Sequence, residues 1–328
     1  MPKTSSEAAA MGRHSTLHGP TMGTRWSATV DTDSRLDLAA LRVDLAAAVA
    51  QVDEQMSPWK PDSDLMRLNR APVGTWVDLP AETLEVLDSA LDVQGLSAGA
   101  FDPCVGDLVD AWGFGAVRDA PDAAAIRAAR QPRPPTGQGG LELERSAGRA
   151  RKRAPLQLDL CGIAKGYAVD RMVAVLQRHG VRHALAALDG ELRAVGRQAS
   201  GAPWAVALER PEAGLRAVHG VIELDDLAVA TSGDYRRFLR VGDARLAHTM
   251  DPRRRAPVNN AVASVTVLAR TCMHADAWAT ALLVAGPDEG LAMAQGMGLD
   301  ALFLLRRAEG LVELGLGRLG ESAEPANG

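Results

Sequence analysis

Asp276-Ala277-Trp278-Ala279-Thr280 puts a carboxylate and a hydroxyl four residues apart. On a helix these positions share one face, so the two oxygen donors project together. One carboxylate, one hydroxyl and room for waters or phosphate oxygens suit a hard cation such as Mg²⁺, which keeps much of its hydration. The same spacing also describes an N-terminal cap at Asp276 with Thr280 bonding back to a carbonyl, and spacing alone favours that structural reading.

Three further segments carry polar chemistry. Asp159-Leu160-Cys161-Gly162-Ile163-Ala164-Lys165-Gly166 reads as a strand end, a small-residue turn and a helix start, continuing to Asp170. Backbone N–H groups at such a turn approach phosphates, and a lysine one turn in adds charge. Lys165 is one of only four lysines in an arginine-rich chain, although a solvated lysine at a helix start would look the same. His248-Thr249-Met250-Asp251-Pro252 sets an imidazole near a carboxylate, a candidate acid–base pair. Thr231-Ser232-Gly233-Asp234-Tyr235 reads as a hydroxyl-rich turn able to cap a following helix. No GxSxG or HExxH occurs, so serine-hydrolase and zinc-protease readings lack support.

The elements that must position these residues show in the hydrophobic pattern. Thr24 to Val30 alternates as a short strand. Asp33 or Ser34 could cap a helix carrying Leu38, Leu41, Leu45, Val49 and Val52 on one face. A short helix is expected around Asp64 to Leu68, and another, opened by Asp78 and Pro80, carries Leu84, Leu87 and Leu91. Residues 118 to 154 read as a surface excursion, because Gln131 to Pro135 and Gly137 to Gly140 suit neither helix nor central strand. In the second half, Leu156 to Leu160, His183 to Leu188, Leu192 to Val195, Trp204 to Leu208, Val221 to Leu224 and Ala263 to Ala269 read as strands. Ile163 to His179, closed by Gly180, and Ala275 to Ala285 read as helices. No repeat recurs at a fixed period. The predicted class is mixed α+β, with helices packed on largely antiparallel sheets.

A chain of 328 residues, 47 % hydrophobic, 23 % charged and with net charge −5, is an ordinary globular composition with no basic footprint for nucleic acid. The basic cluster Arg149, Arg151, Lys152 and Arg153 reads as a solvated loop. Cys104, Cys161 and Cys272 show no metal spacing, and an odd count argues against a disulfide framework. The lead, residues 1–19, is polar, expected to be disordered, and lacks the apolar run of roughly 7–15 residues a secretory signal needs. No stretch approaches the ~20 apolar residues of a membrane span. The expectation is a cytoplasmic protein, unless a leader has been removed, with one domain over 20–315 and a tail over 316–328.

Taken in order, these segments resemble the ApbE family of FAD:protein FMN transferases. The resemblance covers roughly residues 20 to 306. It runs from Met22-Gly23-Thr24 through Met56-Ser57-Pro58-Trp59, Asn69 and Gly99-Ala100-Phe101-Asp102-Pro103 to the four segments above. It implies a T-fold-related architecture and a Mg²⁺-dependent reaction. In that reaction FMN passes from FAD to a Thr or Ser hydroxyl of a target flavoprotein, and AMP leaves. By resemblance, Asp276, Thr280 and the Gly162 carbonyl hold the metal. Met22, Trp59, Ala100, Phe101, Asp102, Asp159, Lys165 and Met250 contact FAD, and His248 lies near the reacting phosphate. The general base is Asp276, Asp251 or His248. Four departures stand out: Trp59 where a tyrosine is usual, Cys161 for a small residue, Asp189-Gly190-Glu191 for Gly-Gly-Asp, and Arg254-Arg255 for Thr-Gly. The alternatives are an FAD pyrophosphatase, in which water replaces the acceptor hydroxyl, and a non-catalytic flavin carrier.

Overall fold

The computed structural model describes residues 14–31, 35–131, 137–212, 214, 217–236, 238–241 and 244–320. Its centre is an eight-stranded sheet in which every neighbouring pair is antiparallel. The strands are β1 (His14–Thr21), β2 (Thr24–Asp31), β3 (Ala184–Leu188), β4 (Glu191–Val195), β5 (Ala228–Gly233), β6 (Val262–Ala269), β7 (Asp300–Arg307) and β8 (Gly310–Leu316). They lie side by side in that order. β1 and β2 turn through Met22 and Gly23, both at positive φ, the conformation a two-residue turn between right-twisted strands requires.

Helices cover one face: α1 (Leu38–Met56), α2 (Asp64–Arg70), α3 (Ala81–Leu96), α4 (Ala164–Arg178) and α5 (Cys272–Met297). Trp26, Ala28 and Val30 of β2 alternate inward to meet them, as do Val265 and Val267 of β6 and Phe303 of β7. An antiparallel hairpin, Trp204–Glu209 with Val218–Leu224, covers the opposite face. There Val206, Leu208, Ile222 and Leu224 pack on Leu268, Leu302 and Leu304. β6 is buried along seven of its eight positions, which is why its sequence reads as a nearly continuous apolar run. Among the described residues no helix is long and apolar enough to cross a membrane.

Several expectations need correction. His14 to Gly19 belong to β1, so the lead is shorter than expected, and residues 316–319 complete β8 and a 3₁₀ turn in which Leu319 is buried. The expected caps Asp33 and Ser34 lie outside the described residues; Asp37 caps α1, accepting from the N–H groups of Ala39 and Ala40. Gly137–Gly140 form a helical turn, and the neighbouring residues 132–136 lie outside the described residues. α5 starts at Cys272 and continues past a kink at Gly286-Pro287 to Met297. Leu156 to Leu160 is extended and alternately buried but joins no ladder. The Asn69 side chain replaces the missing strand there: its Nδ2 donates to the Leu158 carbonyl at 2.9 Å, and its Oδ1 accepts from the Leu158 N–H at 2.7 Å.

Candidate active site

Two helix starts and one strand end converge to form the site. β6 runs directly into α5, whose cap is Thr271, with its hydroxyl accepting from His274 N–H. Asp276 therefore does not cap its own helix. It is 4 % exposed, and its Oδ2 accepts from the Gly166 N–H of α4 at 3.0 Å. One turn later Thr280 Oγ1 meets Ser232 Oγ at 3.0 Å. Ser232 stands in β5, so Thr231 to Gly233 are strand residues, and among the described residues the next element is a strand, Phe238–Val241, not a helix for them to cap.

The turn before α4 brings Gly162 against the same spot. A methyl group there would lie 3.2 Å from Thr280 Oγ1 and 3.4 Å from the Phe101 ring, so the absence of a side chain keeps backbone and hydroxyl close. Beside it, Lys165 Nζ pairs with Glu191 Oε1 at 2.7 Å, and Glu191 is buried. Burial, with the Glu191 charge second, pushes the Asp276 carboxyl up to about 7. Burial acts to lower the Lys165 pKa, but the carboxylates of Glu191, Asp276 and Asp189 outweigh it and hold the ammonium above its ordinary range. The floor is thus oxygen-rich and acidic, with the Lys165 ammonium set into it.

These groups line one cavity of about 1190 Å³, slightly beyond the roughly 300–1,000 Å³ of common small-ligand pockets. Gly162, Lys165, Asp276 and Thr280 line it, as do Met22, Trp59, Ala100, Phe101, Asp102, Asp159, His248 and Met250. Phe101 is buried, whereas Trp59 is 52 % exposed at the rim. Asp102 and Asp159 also shape their own loops, accepting from the N–H groups of Cys104 and Cys161. The His248 ring meets the Phe114 edge at 6.4 Å between centroids. Asp251 is the exception among the candidate residues. It is buried away from the cavity lining, and its Oδ1 accepts from the N–H groups of Arg253 and Arg254, anchoring a turn. Its sequence neighbour His248 faces the cavity, and Asp251 does not.

Sequence spacing could not reveal Glu191 or Ser232 as part of this floor. The scarcity of lysine drew attention to Lys165, but nothing in the sequence pairs it with a residue 26 positions on. Among the described residues, no three His, Cys, Asp or Glu side chains cluster to hold a metal. The donors that do converge are the Asp276 carboxylate, the Thr280 and Ser232 hydroxyls and the Gly162 turn, an oxygen set that fits a hard cation and not a thiophilic one.

The ApbE family model matches residues 22–303. A protein named FAD:protein FMN transferase from Vibrio cholerae serotype O1 is 35 % identical over 299 residues, 90 % of this chain and 89 % of that protein. One of the same name from Klebsiella pneumoniae is 32 % identical over 300 residues, 90 % of this chain and 85 % of that protein. The solved flavin transferase ApbE from Vibrio cholerae superposes with a TM-score of 0.83 at 34 % identity, covering 93 % of this chain and 98 % of that one. The apo flavinyl transferase ApbE of Pseudomonas stutzeri gives the same TM-score and identity over 94 % and 98 %. With the family model matching residues 22–303, and with sequence and superposed backbone agreeing over nine-tenths of its length, this chain belongs to the ApbE family.

Proposed function

We propose that this chain is a Mg²⁺-dependent FAD:protein FMN transferase, acting on a Thr or Ser hydroxyl of a target flavoprotein and releasing AMP. The carrying observation is the acidic floor, where Asp276, Thr280 and the glycine turn at 162 converge beneath a cavity roomy enough for a dinucleotide. Mg²⁺ would be held by the Asp276 carboxylate, the Thr280 hydroxyl and the Gly162 carbonyl. Bound there, it supplies positive charge against the substrate diphosphate. Lys165 adds a fixed ammonium on the same side, restrained by Glu191 so that it is positioned before substrate arrives. Trp59 at the rim and Phe101 deeper in offer aromatic surface to the flavin. In the reaction the acceptor oxygen bonds to the FMN phosphorus while the bond to the AMP oxygen breaks. His248, on the cavity wall, takes the acceptor proton. Asp251 is committed to its turn, and Asp276 to Gly166 and the cation.

The test is incubation of the purified protein with FAD and Mg²⁺, with and without a candidate acceptor flavoprotein. AMP release with flavin covalently bound to the acceptor is the expected result. Free FMN with AMP, regardless of acceptor, would make the enzyme a pyrophosphatase, and intact FAD would make it a carrier. Asp276→Asn keeps an oxygen for Gly166 N–H but loses the ligand charge, so Mg²⁺-dependent AMP release should fall by about 100-fold with the fold intact. Wild-type AMP release from that variant would remove Asp276 from the site. We extend the proposal to a cytoplasmic placement, since three widely spaced cysteines without CxxC spacing argue against a disulfide framework. Recovery of the native protein from a periplasmic or membrane fraction would contradict that placement.

A further inference from the structure

We infer that Asp170 is a positioning residue for the cation site: it closes a reciprocal clasp between α4 and α5 that fixes the Gly162 turn against Asp276 and Thr280. The inference rests on the Mg²⁺ reading above. Both helices begin at the site, and the first turn of any helix leaves N–H groups without intrahelical partners. Here each helix satisfies the other. Asp170 of α4 accepts from the N–H groups of Cys272 and Met273 in the first turn of α5, both at 2.9 Å. Asp276 of α5 accepts from Gly166 in the first turn of α4 at 3.0 Å.

The spacing is the same on both sides. Asp170 lies four residues after Gly166, and Asp276 lies four after Cys272, so each carboxylate shares a helix face with the backbone the other one reaches. Gly166 lets the two backbones touch: a Cβ there would stand 2.3 Å from the Cys272 carbonyl oxygen. Arg193 of β4 donates to Asp170 Oδ1 at 2.6 Å and balances its charge. Asp170 does not line the cavity, so it reaches the substrate only through the placement of α5. Pivoting α5 about its start would carry Asp276 and Thr280 away from Gly162 together.

Asp170→Asn replaces one acceptor oxygen with a donor that opposes an α5 N–H. The Mg²⁺ concentration giving half-maximal FAD cleavage should rise about 10–100-fold, with kcat at saturating Mg²⁺ close to wild type. Mn²⁺ titrated without FAD and followed by electron paramagnetic resonance should show the same weakening. Exchange of the Gly166 amide hydrogen should accelerate. If Asp170→Asn does not fold, Arg193→Gln serves instead, since it leaves the carboxylate but removes its countercharge, and it should shift all three readouts in the same direction. A folded variant with a lower melting temperature but wild-type Mn²⁺ binding and Gly166 exchange would overturn the inference, leaving Asp170 a purely structural cap. If the wild type binds no Mn²⁺, or cuts FAD without a divalent cation, the metal reading fails, and with it the inference. Gly166 exchange then reports only whether the two helices are clasped.

Discussion

A side chain that keeps half its surface in solvent contributes little to folding, so the 52 % exposure of Trp59 on the cavity rim separates binding from stability. Stacking on an isoalloxazine contributes about 0.5–1.5 kcal/mol beyond area burial. Since about 1.4 kcal/mol is one decade in Kd, Trp59→Ala is expected to weaken FAD binding by roughly tenfold once lost contact area is included. Its melting temperature and Mg²⁺ dependence should match wild type. Flavin fluorescence titrations measure the affinity, and equal values would show that the ring does not meet the flavin. At this scale the sequence was informative where partners share one helix. Asp276 and Thr280 fall on one face by spacing alone. It was silent where partners come from different elements: Ser232 reaches Thr280 across 48 positions, and Asp276 caps a helix it does not belong to. His248 and Asp251, three positions apart, point to different surroundings, a distinction no spacing rule contains.

The kink in α5 shows how one element is repaired by another. Gly286 sits at φ 81° and ψ −177°, a region open essentially to glycine alone, and Pro287 has no N–H to offer the Leu283 carbonyl. Asn260 fills that role from outside the helix, its Nδ2 donating to the Leu283 oxygen at 2.9 Å while its Oδ1 accepts from Val262 N–H at 2.9 Å. Asn260→Ala leaves both groups without that partner and is expected to cost about 1–3 kcal/mol. Thermal unfolding should show a drop of several degrees, while half-saturating Mg²⁺ stays at the wild-type value because the kink lies beyond Thr280. An unchanged melting temperature would mean that water takes over both bonds. Helices α1 to α5 and four of the central strands were legible because their apolar positions recur at fixed periods, whereas β1, β5, β7 and β8 were not read as strands. The arm from Leu156 to Leu160 shows the limit. Its alternation is that of a strand, yet it bonds to the buried Asn69 side chain and to the backbone of Pro103 and Gly106 in a loop, and periodicity reports burial rather than what the backbone bonds to.

For the whole molecule, the mixed α+β class and antiparallel pairing followed from the sequence, whereas the strand order did not. β2 and β3 are direct neighbours, yet residues 32–183 separate them in the chain. The cavity draws on residues from Met22 to Thr280, and its floor joins that long excursion to the crossover between β6 and β7. This arrangement has a consequence for how the enzyme comes into being. Pairings this distant form late, because the loops between them must close before any contact compensates for their ordering. At about 5–20 residues per second of synthesis, the N-terminal hairpin emerges many seconds before the strand that will lie beside it. During that time its open edge is exposed to other nascent chains. On refolding from denaturant, helical circular dichroism should therefore return well before FAD-cleaving activity, which should follow the slowest phase of tryptophan fluorescence. Activity that recovers with the helical signal would mean that the site assembles before the sheet closes.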